Sequence, residues 1–218
     1  LLNQIKLHRV VVGPLDTNCV IIEDTATKDA IIVDPGGDPD AITERVRLTG
    51  TRPVMIVLTH GHVDHCAESA SIASMYGIPV AIHSDDLELF DQLADQIEQF
   101  MGPVAAARFR ASPHSRPQVI LKDGDSVAFG QASGRVIHLP GHTMGGIGLY
   151  FEETPPVIIQ GDTLFRDGFG RTDLWGGSWE ALKKTLRDRL FTLPPETRVV
   201  CGHGGDTTIG REKAGQSF

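Results

Sequence analysis

Residues 59–66 read THGHVDHC, so His60, His62, Asp64 and His65 lie within six positions. The five residues before them, 54–58 (VMIVL), are all apolar. A short unbroken apolar run of this kind is a strand covered on both faces. The cluster therefore begins where that strand leaves the core. Imidazoles and carboxylates are the side chains that borderline divalent ions favour, and four of them at one strand tip are a metal-ligand pattern.

Three more segments repeat the arrangement. Residues 135–141 (RVIHLPG) lead to His142, 157–161 (VIIQG) to Asp162, and 198–202 (RVVCG) to His203. Glycine immediately precedes each of these three ligands, and it allows unusual backbone angles and close approach. A site assembled from several strand tips is held rigidly, because each strand is anchored in the core. His60, His62, Asp64, His65, His142, Asp162 and His203 are too many ligands for one tetrahedral zinc. They suit two ions sharing one bridging carboxylate and one bridging water, a pair that makes hydroxide available near neutral pH.

The rest of the chain bounds what such a site serves. With 218 residues, 40% hydrophobic and 22% charged, the sequence suits a single domain over 1–218. A net charge of −8 without a basic block argues against nucleic acid as a partner. No apolar run approaches the ~20 residues of a membrane span. The sequence opens on Leu1 and shows no small-residue cleavage site of a secretory signal. Three cysteines, Cys19, Cys66 and Cys201, are no disulfide framework, so a reducing cytoplasmic setting is expected.

The elements are expected in the order strands, helices, strands, helix. Strands are read at IKLHRVVV, CVIIE, AIIVD, VMIVL and VAIH, then at QVIL, SVAF, RVIHL, GIGLYF, VIIQ and RVVC. One helix is capped by Asp38, carries Pro39 in its first turn and closes at Gly50. Another, CAESASIASMY, stops at Gly77. Residues 84–101 place Leu87, Phe90, Leu93, Ile97 and Phe100 at helical spacing. Residues 102–117 read as a loop or lid, and Ser178 opens a last helix. The fold class is α/β (α+β), two mixed β-sheets packed face to face with helices outside.

HGHVDH at 60–65, with GHT at 141–143, GD at 161–162 and GH at 202–203, resembles the pattern of the metallo-β-lactamase fold. Within it, GDTLF (161–165), GRTD (170–173) and GHGGDTTIGRE (202–212) resemble the glyoxalase II thioester hydrolases, particularly the short bacterial hydroxyacylglutathione hydrolases. The resemblance implies an αββα sandwich. It assigns His60, His62 and His142 to one metal and Asp64, His65 and His203 to a second, with Asp162 bridging. It also implies two divalent ions, with zinc ahead of iron or manganese. The implied reaction is attack by a metal-held hydroxide, oriented by Asp64, on a small-molecule thiol ester such as S-D-lactoylglutathione. The thiolate leaves without a protein acid.

The chain also departs from the pattern. It has HTMGG where the family has HTPGS, Cys66-Ala67-Glu68 after the cluster, Trp175 after GRTD, and Gln216-Ser217-Phe218 in the tail. About fifteen residues follow His203, so the basic C-terminal contacts of the long glyoxalase II enzymes are expected to be missing. These differences bear on substrate, since none is a ligand. The rival reading is a mononuclear iron dioxygenase acting on glutathione persulfide, which would use only His60, His142 and Asp162. Lactonase or β-lactamase chemistry fits the same scaffold.

Other reactive residues have plainer explanations. His8, His83, His114 and His138 read as structural. Asp34, in VDPGG, is either a turn carboxylate or a brace behind a ligand histidine. Arg171 of GRTD reads first as half of an ion pair, with bracing of the metal loop as the functional alternative. Arg166, Arg211 and Lys213 read first as solvated charges, with contact to an anionic substrate as the alternative; Trp175 and Trp179 read first as core, with a pocket mouth as the alternative; Cys201 reads as a buried strand residue rather than a nucleophile.

Overall fold

A computed structural model describes residues 4–111 and 115–215. His114 and the tail at 216–218 lie outside them.

The first sheet contains β1 (Ile5–Val12), β2 (Thr17–Asp24), β3 (Asp29–Val33), β4 (Arg52–Val57), β5 (Val80–His83) and β6 (Val119–Leu121), in that order across the sheet. Tight turns make β1 to β3 antiparallel, whereas β3 to β6 are parallel. Parallel neighbours need crossovers, and helices supply them. α1 (Pro39–Thr49) joins β3 to β4. α2 (Val63–Cys66) and α3 (Ser69–Tyr76) join β4 to β5. α4 (Leu87–Asp91), α5 (Leu93–Met101) and α6 (Pro103–Ala111) join β5 to β6.

The second sheet is built from β7 (Ser126–Phe129), β8 (Ala132–His138), β9 (Ile147–Phe151), β10 (Val157–Ile159), β13 (Arg198–Val200) and β14 (Thr207–Thr208), ordered β14-β13-β10-β9-β8-β7. A small hairpin, β11 (Leu164–Phe165) with β12 (Gly168–Phe169), and α7 (Trp179–Asp188) lie between β10 and its parallel partner β13. α8 (Ile209–Gly215) follows β14.

Strand alternation builds the layers. In β2 and β3, Val20, Ile22, Ile31 and Val33 enter a core between the sheets with Val136, Leu149, Phe151 and Ile159. Cys19, Ile21, Ala30 and Ile32 face the other way, onto Ile42, Val46 and Ile72 of α1 and α3. Across the second sheet, Ile137, Tyr150 and Ile158 meet Leu182 and Leu186 of α7. Strands β2, β3, β9 and β10 are covered on both faces, which is why they read as apolar runs, whereas β1, β7 and β8 alternate with exposed residues. Each fully buried Leu or Ile contributes about 1.5–3 kcal/mol. The arrangement is the expected αββα sandwich.

Several boundaries differ from the sequence expectation. Asp38 precedes α1, but its carboxylate accepts from Gly13 N (2.8 Å) and not from its own helix. Pro39 and Gly50 hold the expected places, with Gly50 at φ 66. Residues 84–101 form a 3₁₀ turn (Ser84–Asp86), α4 and α5 instead of one helix, and Phe100 is exposed. The break lets Asp86 and Gln96 both reach Gly61, a requirement that apolar spacing does not register. The expected loop at 102–117 contains α6. Pro103 starts it, where a missing N–H costs nothing, and an alanine-rich run continues it. Arg110 ties α6 to Asp95 and Glu98 of α5 (2.8 and 2.9 Å).

Candidate metal centre

All four ligand-bearing strands stop short of their ligands. β4 ends at Val57, β8 at His138, β10 at Ile159 and β13 at Val200. His60, His142, Asp162 and His203 lie three or four residues further on, in the connecting loops. One strand belongs to the first sheet and three to the second, so the centre sits where the two sheets open.

The structure brings all seven predicted ligands together. His60, His62 and His142 form one group. His62 Nδ1 lies 2.9 Å from His142 Nε2, and the His60 ring is 4.9 Å from each of the other two. Asp64, His65 and His203 form another group. His203 Nε2 is 3.2 Å from Asp64 Oδ2 and 3.4 Å from His65 Nε2. Asp162 reaches both groups. Its Oδ1 is 3.5 Å from His65 Nε2, and its Oδ2 is 3.4 Å from His203 Nε2 and 3.8 Å from His142 Nε2.

Four of these histidines, all but His62, engage an acceptor with Nδ1. His142 Nδ1–H donates to Arg171 O (2.7 Å) and His203 Nδ1–H to Leu15 O (2.9 Å). His65 Nδ1–H donates to Asp34 Oδ2 (2.8 Å). Thr59 Oγ1 donates to the same Asp34 oxygen (2.6 Å) and accepts from His60 Nδ1 (3.0 Å). Each bond ties one ring nitrogen to an outer acceptor and turns Nε2 inward, which is how ligand histidines are oriented. Asp34 thus touches His65 directly and His60 through Thr59. Arg171 meets His142 through its carbonyl, while its guanidinium pairs with Asp173 (2.7 Å).

Charge and burial complete the fit to cations. His60 Nε2, His62 Nε2 and Asp162 Oδ1 are buried without a hydrogen-bond partner. Each such atom costs about 1–3 kcal/mol unless something compensates it. Burial, then neighbouring imidazoles, holds His60 well below the ordinary histidine range, and His62 falls to about 3 for the same reasons. Burial would lower His65 and His203 as well, but Asp64 and Asp162 outweigh it, and His203 rises to about 10. Burial alone would raise Asp162; the facing His65 and His203 push it well below the carboxylate range. A buried cluster of imidazole nitrogens and ionised carboxylates, with the orphaned His60 Nε2 and Asp162 Oδ1 within it, is matched to divalent ions.

Other elements hold the loops. Asn18 Nδ2 donates to Cys201 O and Gly204 O (both 2.9 Å), fixing the turn that carries His203. Gly202 has no room for a side chain, because a Cβ there would overlap Asp162 Oδ1. The sequence reading missed Asp86 and Gln96. Asp86 accepts from Gly61 N (2.9 Å), Thr143 Oγ1 (2.7 Å) and Gly145 N (2.6 Å), and so joins the two histidine loops. Gln96 donates to Gly61 O (3.1 Å) and accepts from Val63 N (2.9 Å). The Ser-Asp-Asp run at 84–86 was the sequence signal for Asp86.

The remaining candidates fall outside the centre. Cys201 is buried and its thiol is pushed up to about 12, chiefly by burial. His8 pairs with Glu23 (2.6 Å). Trp175 and Trp179 are exposed rather than core, with the Trp179 ring 4.9 Å from Phe169. Arg211 pairs with Asp167 (2.6 Å) and Lys213 donates to Phe191 O (2.9 Å). Arg166 instead lines a cavity of about 500 Å³, together with His142, Asp162, Phe165, Arg171 and His203. No helix among the described residues is long and apolar enough to cross a membrane.

Fold and centre together define a class of metallo-hydrolase, and comparison with known proteins agrees. The model of the metallo-beta-lactamase superfamily matches residues 12–203. The chain belongs to that superfamily. It is 33% identical over 215 residues to the hydroxyacylglutathione hydrolase GloC of Haemophilus influenzae, covering 98% of this chain and 97% of that one. The BLEG-1 B3 metallo-beta-lactamase superposes with a TM-score of 0.86 at 30% identity, over 96% of this chain and 97% of that one. The di-iron-bound form of TTHA1623 gives 0.78 at 35% identity, over 94% and 96%.

Proposed function

We propose that the protein is a dinuclear metal-dependent thioester hydrolase acting on S-D-lactoylglutathione or a related acyl-glutathione. The observation that carries this is the position of Asp162, one carboxylate within 4 Å of histidines from both groups and with a buried, unpartnered oxygen. His60, His62 and His142 would hold one ion and Asp64, His65 and His203 the other, with Asp162 between them. Divalent ions there, zinc being the first choice, would supply an acidified water and Lewis-acid stabilisation of a developing oxyanion.

The side chains support the remaining roles. Asp64 is fixed by Thr17 Oγ1 (3.2 Å) and would orient the water. Arg166 and Arg171 rim the cavity and would attract the carboxylates of an acyl-glutathione. A thiol has an ordinary pKa near 8.5, so the leaving group needs no acid, and the cavity lining offers no cysteine. The similarity to GloC supports the same substrate class. The persulfide dioxygenase reading requires only three ligands and leaves the Asp64, His65 and His203 group without a purpose.

The test is turnover of S-D-lactoylglutathione by metal-loaded protein, followed by loss of the thioester absorbance. Hydrolysis at neutral pH that stops on chelation is expected. Inert thioester, together with oxygen uptake on glutathione persulfide and one iron per chain, would overturn the reading.

A further inference from the structure

Just past Asp162 the chain forms the β11–β12 hairpin, in which Leu164 pairs with Phe169 and Phe165 with Gly168. Its turn is the dipeptide Arg166-Asp167. Asp167 takes a left-handed backbone, φ 64, and Arg166 does not. Positive φ at the second turn residue alone is the type II pattern, which favours glycine there and suits a tight hairpin poorly. The local sequence therefore does not fix this turn.

The segment after His203 fixes it instead. Glu212 of α8 is only 3% exposed. Its Oε2 accepts from Asp167 N (2.9 Å), and its Oε1 accepts from Thr207 Oγ1. Arg211 pairs with the Asp167 carboxylate (2.6 Å). Arg166 donates Nε–H to Asp206 O (3.0 Å) and an Nη2–H to the same oxygen. The turn held in this way presents Arg166 to the cavity that also exposes His142, Asp162 and His203. No carboxylate pairs with Arg166 among the described residues, and its Nη1 edge is open. Arg171, the other arginine of the rim, instead donates Nε–H and Nη2–H to both oxygens of Asp173 (2.7 and 2.8 Å). A guanidinium anchored along one edge and open along the other is preorganised for a carboxylate.

We propose that Glu212 is a positioning residue for substrate binding: by holding the Asp167 amide it sets the turn that offers the open edge of Arg166 to a carboxylate on the thiol half of the substrate. The proposal rests on the thioesterase reading above. Glu212 is not part of the cavity lining and acts only through the turn. Its loss therefore weakens the grip on the thiol carrier and leaves the hydrolytic step largely intact.

Steady-state kinetics of the metal-loaded enzyme on two thioesters test this: S-D-lactoylglutathione, and the lactoyl thioester of N-acetylcysteamine, which has no carboxylate. Glu212→Met strands the Asp167 amide. It should raise KM for the glutathione thioester about tenfold, with kcat within about threefold and KM for the carboxylate-free thioester unchanged. Glu212→Gln should restore most of the binding, because its carbonyl oxygen can serve Asp167 N while Thr207 Oγ1 accepts from its amide. Glu212→Asp keeps the buried charge but is one methylene short. It should raise KM in the same sense, and it decides the matter if the methionine variant fails to fold. Arg166→Gln should lose the same preference for the glutathione thioester. KM values that move together on both thioesters, or do not move, overturn the role of Glu212. A wild type inert toward both thioesters overturns the hydrolase reading beneath it.

Discussion

Asp34 holds a left-handed backbone, φ 54, which costs a non-glycine residue roughly 1–2 kcal/mol. Its carboxylate offsets this by collecting Thr59 N, Thr59 Oγ1 and His65 Nδ1. In Asp34→Asn an amide replaces one acceptor oxygen, so His65 or Thr59 loses its partner. Metal affinity measured by chelator competition should fall about 10–100-fold; unchanged affinity would remove the bracing role. Asp86 works on the loops rather than on the ligands. Asp86→Ala leaves three donors from Gly61, Thr143 and Gly145 unpaired in a buried place. At about 1–3 kcal/mol for each stranded group, denaturant unfolding should show a loss of at least about 2 kcal/mol. A loss below half that would mean that the loops hold themselves. All seven clustered residues were legible because their chemistry is in their side chains and follows apolar runs. Asp86 and Gln96 were not, since bonds from side chain to distant backbone have no period in sequence. The carbonyls of Leu15 and Arg171 act whatever side chain they carry, so residue identity could not reveal them.

Elements meet closely around the centre, and glycine marks where. A Cβ on Gly36, in the β3–α1 connection, would overlap the Asp64 carbonyl of α2. Gly50 at the end of α1 also needs a left-handed backbone, φ 66, but faces open space. Gly50→Ala should therefore cost about 1 kcal/mol, whereas Gly36→Ala should cost several times that and weaken metal binding through Asp64 and His65. Equal thermal midpoints for the two variants would contradict this packing. Strand positions were readable because β2, β3, β9 and β10 are covered on both faces and β7 and β8 alternate. Helix boundaries at 84–111 were not. The Gly102-Pro103 pair signals a chain break in sequence, but in the fold it separates two packed helices.

Charge acts at the scale of the whole molecule. The chain carries −8, and two divalent ions would bring it to about −4 where an anionic substrate approaches. Acid stability follows from buried carboxylates such as Glu23. Burial would raise it, but Lys28 and His8 outweigh burial and hold it below its ordinary 4.5. A depressed folded pKa gives stability that is complete above the unfolded value and fades as pH falls through the folded one. Glu23→Gln should therefore destabilise the protein by about 1–3 kcal/mol at pH 7, with the gap closing below pH 4.5. A gap that is constant with pH would assign the loss to packing instead.

The central claim is that loops from both sheets converge on a pair of ions with Asp162 between them. Metal content per chain, measured after saturation and dialysis against metal-free buffer for wild type and Asp162→Asn, tests it most directly. Two tightly held divalent ions in wild type and a clear loss in the variant are predicted. A wild type that retains one ion or none, or an Asp162→Asn protein that keeps its full complement, would contradict it.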